Sequence, residues 1–80
     1  MTTIDILKQI LNNIDDLFLR VEIDNIQSQN SIYDDLGIDS LTRVTIFYEI
    51  QDHFNIDKDE SDAAQWRTIQ DILTYMEKSN

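Results

Sequence analysis

The chain has 80 residues, 41% of them hydrophobic, and its 16 acidic and 6 basic residues give a formal net charge of −10. A surface this acidic repels nucleic-acid phosphates and anionic membranes and attracts basic protein surfaces, which argues against nucleic-acid or membrane partners. The absence of cysteine excludes disulfides and thiolate metal sites, and the absence of proline together with a single glycine disfavours an all-β fold.

The first predicted helix begins at a cap on Thr2 or Thr3 and ends near residues 19–20. Apolar residues three and four apart form its single stripe: Ile4, Leu7, Leu11, Ile14 and Phe18. Residues 21–35 are mostly polar and predict a long loop, whose expected anchors to the core are Ile23, Ile26, Ile32 and Tyr33. A loop of this length in so small a chain is typical of a functional segment.

Three further helical segments follow. The second helix is predicted from residue 39 or 40 to about Phe54, and its broad apolar arc indicates a central or partner-binding helix. A short helical turn is predicted over residues 61–66. The last helix is predicted to start at Thr68, with Asp71 completing a capping box. The expected fold class is therefore all-α, a small bundle of three main helices plus one short helix, in a single domain over residues 1–80.

The N-terminal residues have neither the basic start nor the apolar run of a signal peptide. No apolar stretch approaches the roughly 20 residues needed to cross a bilayer. We therefore expect a cytoplasmic protein without a membrane segment.

Residues 35–41 carry the main functional signal. Gly37 permits a sharp turn with positive φ, and Asp39 can cap the next helix by accepting from backbone N–H groups of its first turn. Ser40 then lies beside unpaired N–H groups, where a phosphate ester is stabilised by the positive end of the helix. An Asp-Ser pair before an apolar helix is also an ordinary cap, so this local pattern leaves both interpretations open.

The run Leu36-Gly37-Ile38-Asp39-Ser40-Leu41, with Val44 and Phe54 following, resembles the phosphopantetheine attachment segment of acyl carrier proteins. The resemblance covers essentially the whole chain, from the apolar first helix through the long loop to the start of the last helix. It implies that a phosphopantetheinyl transferase, with magnesium and coenzyme A, attaches 4'-phosphopantetheine to Ser40. The arm supplies the thiol that this chain lacks, acyl groups are held on it as thioesters, and the protein itself catalyses nothing.

The resemblance also implies roles for the neighbours of Ser40. Asp39 matches the acidic residue that helps present the serine, while Gly37 and Leu41 shape the turn and dock the modifying enzyme. The residues expected to meet partner enzymes are Leu41, Val44, Tyr48, Glu49 and Asp52. The residues expected to line an acyl pocket are Ile46, Ile50, Ile56, Ala63 and Trp66. The expected partners are the transferase and acyl-loading or synthase enzymes of ketosynthase, acyltransferase or ligase type, acting in fatty-acid or polyketide biosynthesis on a monomeric carrier.

Two departures from the family pattern concern partners and cargo. Members usually present a strongly acidic second helix, but here the residues after Ser40 read Thr42-Arg43-Val44-Thr45. Either this change has no consequence, or partners recognise the helix more through apolar contact, as in a specialised synthase. Trp66 stands where a smaller aliphatic residue is typical, and it either plugs the core or shortens the acyl pocket.

Other functions explain parts of the sequence. A hydrolase using Ser40 and His53 fails, because thirteen residues of helix separate them by roughly 20 Å and a nucleophile needs its base within hydrogen-bond reach. An EF-hand beginning at Asn55 or Asp57 lacks the required glycine and glutamate, so we expect no metal site. A cofactor-free acidic helical interaction module remains open. A peptidyl or aminoacyl carrier also remains open, because the Asp-Ser-Leu ending favours fatty-acyl or polyketide carriers only weakly.

Overall fold

The computed structural model describes residues 2–15, 17–57 and 59–79. Their α-helices are α1 (Thr3–Asn12), α2 (Ser40–Phe54) and α3 (Ile69–Ser79), and 3₁₀ helices lie at Ile23–Asn25 and Glu60–Gln65. These residues form no β-strand, and a single isolated bridge pairs Ser31 with Thr68. The all-α class and the three main helices are confirmed, and the second 3₁₀ helix occupies the place predicted for the short helix. No helix in this part of the chain combines the length and hydrophobicity needed to span a membrane.

The first and third helices begin at reciprocal side-chain caps. The Asp5 N–H donates to Thr2 Oγ1 and the Thr2 N–H donates to Asp5 Oδ2, both at 3.3 Å. At the start of α3, Asp71 Oδ2 accepts from the Thr68 N–H at 3.0 Å, and Thr68 Oγ1 accepts from the Asp71 N–H at 3.4 Å. Each pair satisfies backbone donors that a helix start leaves open. The capping box predicted at Thr68 is therefore confirmed.

The first helix is shorter than its apolar spacing predicts. It ends at Asn12 with Asn13 as the C-cap, so the prediction that it continues to residues 19–20 is wrong. Asn and Asp side chains compete for nearby backbone hydrogen bonds and favour helix ends, and residues 12, 13 and 15 are Asn, Asn and Asp. Phe18 consequently lies outside the helix and is 85% exposed, whereas the stripe predicts that it is buried.

The core lies between α2 and the elements packed on it. Helix α2 packs against α1 and the second 3₁₀ helix, and α1 also packs against α3. The broad apolar arc of α2 divides into a buried face and exposed positions such as Leu41 and Tyr48. The buried apolar residues are Leu7, Ile10, Leu11, Ile26, Ile32, Leu36, Ile38, Ile46, Phe47, Ile50, Ala63, Trp66, Ile69, Ile72, Leu73 and Met76.

The loop between α1 and α2 is tied to the start of α3 through the backbone. The Ile32 N–H donates to the Arg67 carbonyl at 2.9 Å, and the Ile69 N–H donates to the Asn30 carbonyl at 3.0 Å. A third bond, from the Gln70 N–H to the Ser28 carbonyl, is 2.9 Å long. Ile26 and Ile32 are buried as predicted, but Tyr33 is 68% exposed and is not the core anchor that its aromatic ring suggests.

We predict that Asp71→Asn lowers the melting temperature at neutral pH and that this loss disappears in acid. Hydrogen bonds from the Arg67 and Thr68 backbone N–H groups lower the pKa of Asp71 below its usual value of 3.8. Because folding lowers this pKa, the carboxylate stabilises the fold above the unfolded-state pKa, and the stabilisation is lost as pH falls through the folded-state pKa. Thermal melts of both proteins from neutral pH to about pH 2 measure the difference.

Glu77→Gln is the matched control, because it removes the same charge from the last turn of the same helix. A negative charge near a helix C-terminus is unfavourable, so this variant keeps or slightly raises the melting temperature at neutral pH. A difference between Asp71→Asn and the wild type that stays constant into acid would contradict the role assigned to the Asp71 carboxylate.

Candidate functional site

Ser40 is the first residue of α2, and its side chain is exposed. The preceding residue, Asp39, has extended backbone geometry and caps the helix, because its Oδ1 accepts from the Thr42 N–H at 2.8 Å. Ser40 therefore sits among the first-turn N–H groups at the positive end of α2. The cap that the sequence predicts at Asp39 is therefore present, with the Thr42 N–H as its donor.

The Asp39 carboxylate is ionised at neutral pH. A hydrogen bond from the Thr42 backbone N–H lowers the pKa of Asp39 below its usual value of 3.8, and a hydrogen bond from the Thr42 hydroxyl lowers it further. His53 lies in the last turn of α2, at the opposite end from Ser40. A serine this far from the histidine on its own helix is not activated by it as a nucleophile, but its exposed hydroxyl remains open to modification by another enzyme.

The turn that leads into α2 requires glycine at position 37. Gly37 has φ of +74°, in the left-handed region that side chains disfavour. Its N–H donates to the Tyr33 carbonyl at 3.0 Å, and the Ile38 N–H donates to the Ile32 carbonyl at 3.0 Å. The positive φ expected from the sequence is therefore confirmed.

Arg20 crosses the same turn, which the sequence does not predict. A Cβ added to Gly37 would stand 3.0 Å from both Cγ and Nε of Arg20. The Arg20 guanidinium donates to the Asp34 carbonyl at 3.3 Å, and the Arg20 N–H donates to the Leu36 carbonyl at 3.0 Å. The turn is thus held by both its own backbone and a side chain from the preceding loop.

An open cavity of about 670 Å³ lies beside Ser40. It is bounded by the start of α2, the loop at residues 31–34 and the segment at residues 64–68. Ile32, Ile38 and Trp66 supply apolar wall, while Arg43 and Arg67 supply positive charge. Two of the chain's six basic residues therefore line the cavity at the serine.

The predicted acyl-pocket residues lie at three different places. Ile46, Ile50 and Ala63 are buried in the core, whereas Ile56 is half-buried and lines a separate surface depression. Trp66 is the member of the set that borders the cavity beside Ser40, and it is 5% exposed. Its ring packs against those of Phe47 and Tyr75, with centroids 5.8 and 5.4 Å away.

The predicted partner-binding residues follow the exposed side of α2. Leu41 is 77% exposed and Tyr48 is 51% exposed, and seven residues of helix place them on one face. Glu49 and Asp52 are exposed beside them, and Val44 is half-buried. An exposed apolar pair at this spacing gives α2 a surface suited to protein contact.

The sequence does not predict that Tyr33, Arg43 and Arg67 border the cavity. It predicts a core position for Tyr33, shows Arg43 only as a departure in charge, and gives no expectation for Arg67. The position of Arg43, three residues after Ser40 on one helix, is a signal that could have found it. Arg67 has no such local signal, because the pairing of its backbone with Ile32 brings it to the site.

Comparison with known proteins identifies the family. A family model described as "Phosphopantetheine attachment site" matches residues 5–76. The chain belongs to this phosphopantetheine-binding acyl carrier family. It is an acyl carrier whose prosthetic group is 4'-phosphopantetheine, and it is not itself catalytic. The resemblance seen in the run at residues 36–41 is thereby confirmed.

Individual acyl carriers are similar over most of this chain. It is 35% identical to the acyl carrier protein of Bdellovibrio bacteriovorus over 60 residues, which are 75% of this chain and 77% of that protein. It is 40% identical to acyl carrier protein 3 of Ralstonia nicotianae over 55 residues, which are 69% of this chain and 63% of that protein. It is 36% identical to the meromycolate extension acyl carrier protein of Mycobacterium leprae over 58 residues, which are 72% of this chain and 50% of that protein. Nothing in these matches favours a cofactor-free interaction module.

We predict that Gly37→Ala destabilises this acyl carrier by about 1–2 kcal/mol, the usual cost of a left-handed conformation for a residue with a side chain. The contact with Arg20 adds to this cost. Urea unfolding of the two proteins measures the loss as a lower midpoint at an unchanged m-value.

The matched comparison introduces Gly37→Ala into an Arg20→Ala background. Removing Arg20 relieves the close contact but leaves the positive φ, so the loss caused by Gly37→Ala becomes smaller without vanishing. Equal stability of Gly37→Ala and the wild type would show that this turn is not constrained.

Proposed function

We propose that Ser40 is the residue that carries the 4'-phosphopantetheine arm. The observation that supports this is its exposed position at the start of α2, behind the Asp39 cap, in a chain of the phosphopantetheine-binding family. A phosphodiester there would meet unpaired backbone N–H groups and the positive end of the helix. Ser28 and Ser31 are half-buried in the loop, and Ser61 lies in a 3₁₀ helix of six residues, so they do not share this environment.

The residues around Ser40 would hold it for modification by a phosphopantetheinyl transferase. Asp39 fixes the start of α2 through Thr42, and Gly37 sets the direction in which the chain enters the helix. Leu41, exposed beside the serine, would provide an apolar contact for the transferase. The arm, once attached, supplies the thiol on which acyl groups are held as thioesters.

The exposed face of α2 is the proposed contact for acyl-loading and synthase enzymes. Its apolar members are Leu41, Val44 and Tyr48, and its acidic members are Glu49 and Asp52. Arg43 removes negative charge from the first turns, so basic partner surfaces would be recognised less by charge and more by apolar contact. We propose fatty-acid or polyketide-type synthases as these partners. The carrier would act as one domain over residues 1–80, as a monomer and in the cytoplasm.

Trp66 would limit the cargo. It is buried against Phe47 and Tyr75 and also borders the cavity beside Ser40. Close-packed interiors adapt little to added volume, so a long acyl chain would have to displace this ring to enter past it toward Ile46, Ile50 and Ala63. Ile56 would serve as a lining residue only at the separate depression near Tyr48. Short or polar acyl groups are therefore the proposed load.

We predict that Ser40→Ala abolishes modification while the protein stays folded. Incubation with coenzyme A, magnesium and a broad-specificity transferase adds one phosphopantetheine to the wild type, as measured by intact mass. The alanine variant gains nothing because it lacks the hydroxyl, and its helical circular dichroism is unchanged because the Asp39 cap on Thr42 remains.

Ser61→Ala is the matched control, since Ser61 is also an exposed serine that follows an aspartate cap, Asp59. This variant gains the arm as the wild type does. A mass increase retained in Ser40→Ala would overturn the assignment of Ser40. A wild-type protein that stays unmodified would contradict the carrier function itself.

A further inference from the structure

Arg43 lies close enough to Ser40 to contact a group attached to the serine hydroxyl. The two residues are three apart on α2, a spacing that brings side chains to one face with about 5–6 Å between Cβ atoms. Both line the same cavity. The Nε of Arg43 is buried and has no hydrogen-bond partner among the described residues. A buried guanidinium donor without a partner is unfavourable, so the site is suited to an added acceptor.

The charge in the cavity differs from that of the whole chain. The cavity lining includes two arginines, Arg43 and Arg67, and two aspartates, Asp34 and Asp39. The formal charges of these four side chains sum to zero, whereas the formal net charge of the chain is −10. The Asp39 carboxylate already accepts from the Thr42 N–H. The backbone of Arg67 is fixed on both sides, because its carbonyl accepts from the Ile32 N–H and its own N–H donates to Asp71 Oδ2. The cavity therefore repels an anion less than the rest of this acidic chain does.

We propose that Arg43, with Arg67, binds the phosphodiester of the arm on Ser40 and holds the proximal part of the arm in the cavity. This inference rests on the proposed attachment at Ser40. Guanidinium groups present a planar set of N–H donors that matches phosphate oxygens, and charge-assisted bonds of this kind are short and strong. The wall formed by Ile32, Ile38 and Trp66 suits the alkyl groups of the arm. The arm would leave Ser40 along the protein surface instead of extending freely into solvent.

A carboxylate on the acyl cargo is the other oxyanion that could reach the two arginines. The phosphodiester is favoured because it would be bonded directly to Ser40, within one helical turn of Arg43. The two sources differ in when they are present. The phosphodiester accompanies the bare arm, whereas the carboxylate arrives only with a dicarboxylic acyl group.

The test follows the Arg43 Nε–H resonance by ¹⁵N NMR in the apo form, the holo form with a free thiol, and holo forms loaded with acetyl or malonyl groups. The expected result is a shift of this resonance, with several-fold slower exchange with water, when Ser40 gains the arm. The acetyl and malonyl groups then change it little further. The ³¹P resonance of the holo protein also moves in Arg43→Gln, and the arm signals become narrower because the arm is released.

Lys78→Gln is the matched control, because it removes the same charge from an exposed position in the last turn of α3. It leaves the ³¹P and arm signals as in the wild type. An unchanged Arg43 resonance in a protein whose mass confirms the arm on Ser40 would overturn the inference while preserving the proposed function. A response that appears only with malonyl would overturn it in favour of the cargo carboxylate. Absence of the arm from Ser40 would overturn both.

Discussion

Backbone pairing between residues 28–32 and residues 67–70 positions the segment that enters α2. The bonds from the N–H groups of Ile32, Ile69 and Gln70 cross from the long loop to the start of α3. Ile32 is also the acceptor for the Ile38 N–H, so the same residue joins this pairing to the turn at Gly37. The place of Ser40 and the side of the cavity formed by residues 64–68 are therefore fixed relative to each other by one connected set of backbone bonds.

One face of α2 stabilises the fold, and the other face is exposed for contact with other proteins. Ile46, Phe47 and Ile50 are buried, and their burial holds α2 against α1 and the second 3₁₀ helix. Leu41 and Tyr48 remain exposed on the same helix, where they add nothing comparable to the core and are available for contact with other proteins. This division explains an apolar arc that is wider than one buried stripe requires.

The parts of the structure that follow from local chemistry could be predicted from the sequence. The starts of α2 and α3 depend on side chains within four residues, at Asp39 and at Thr68 with Asp71, and the sequence predicts both. The sequence does not predict the length of α1, because the spacing of apolar residues continues past Asn12 although Asn and Asp end the helix there. Two features depend on backbone pairing between segments that are distant in the chain: the exposure of Tyr33 and the position of Arg67 beside the cavity. A single sequence contains no pattern that predicts such pairing.

The most direct measurement of this account is amide hydrogen exchange in the apo protein at Ile32, Ile69 and Gln70. If the pairing positions the entry to α2, these amides open only with the core, and their protection matches that of Ile50 in the buried part of α2. Exchange at the rate of exposed loop amides, with Ile50 still protected, would contradict the account. The loop would then move independently of α3, and the placing of Ser40 beside its cavity would need another cause.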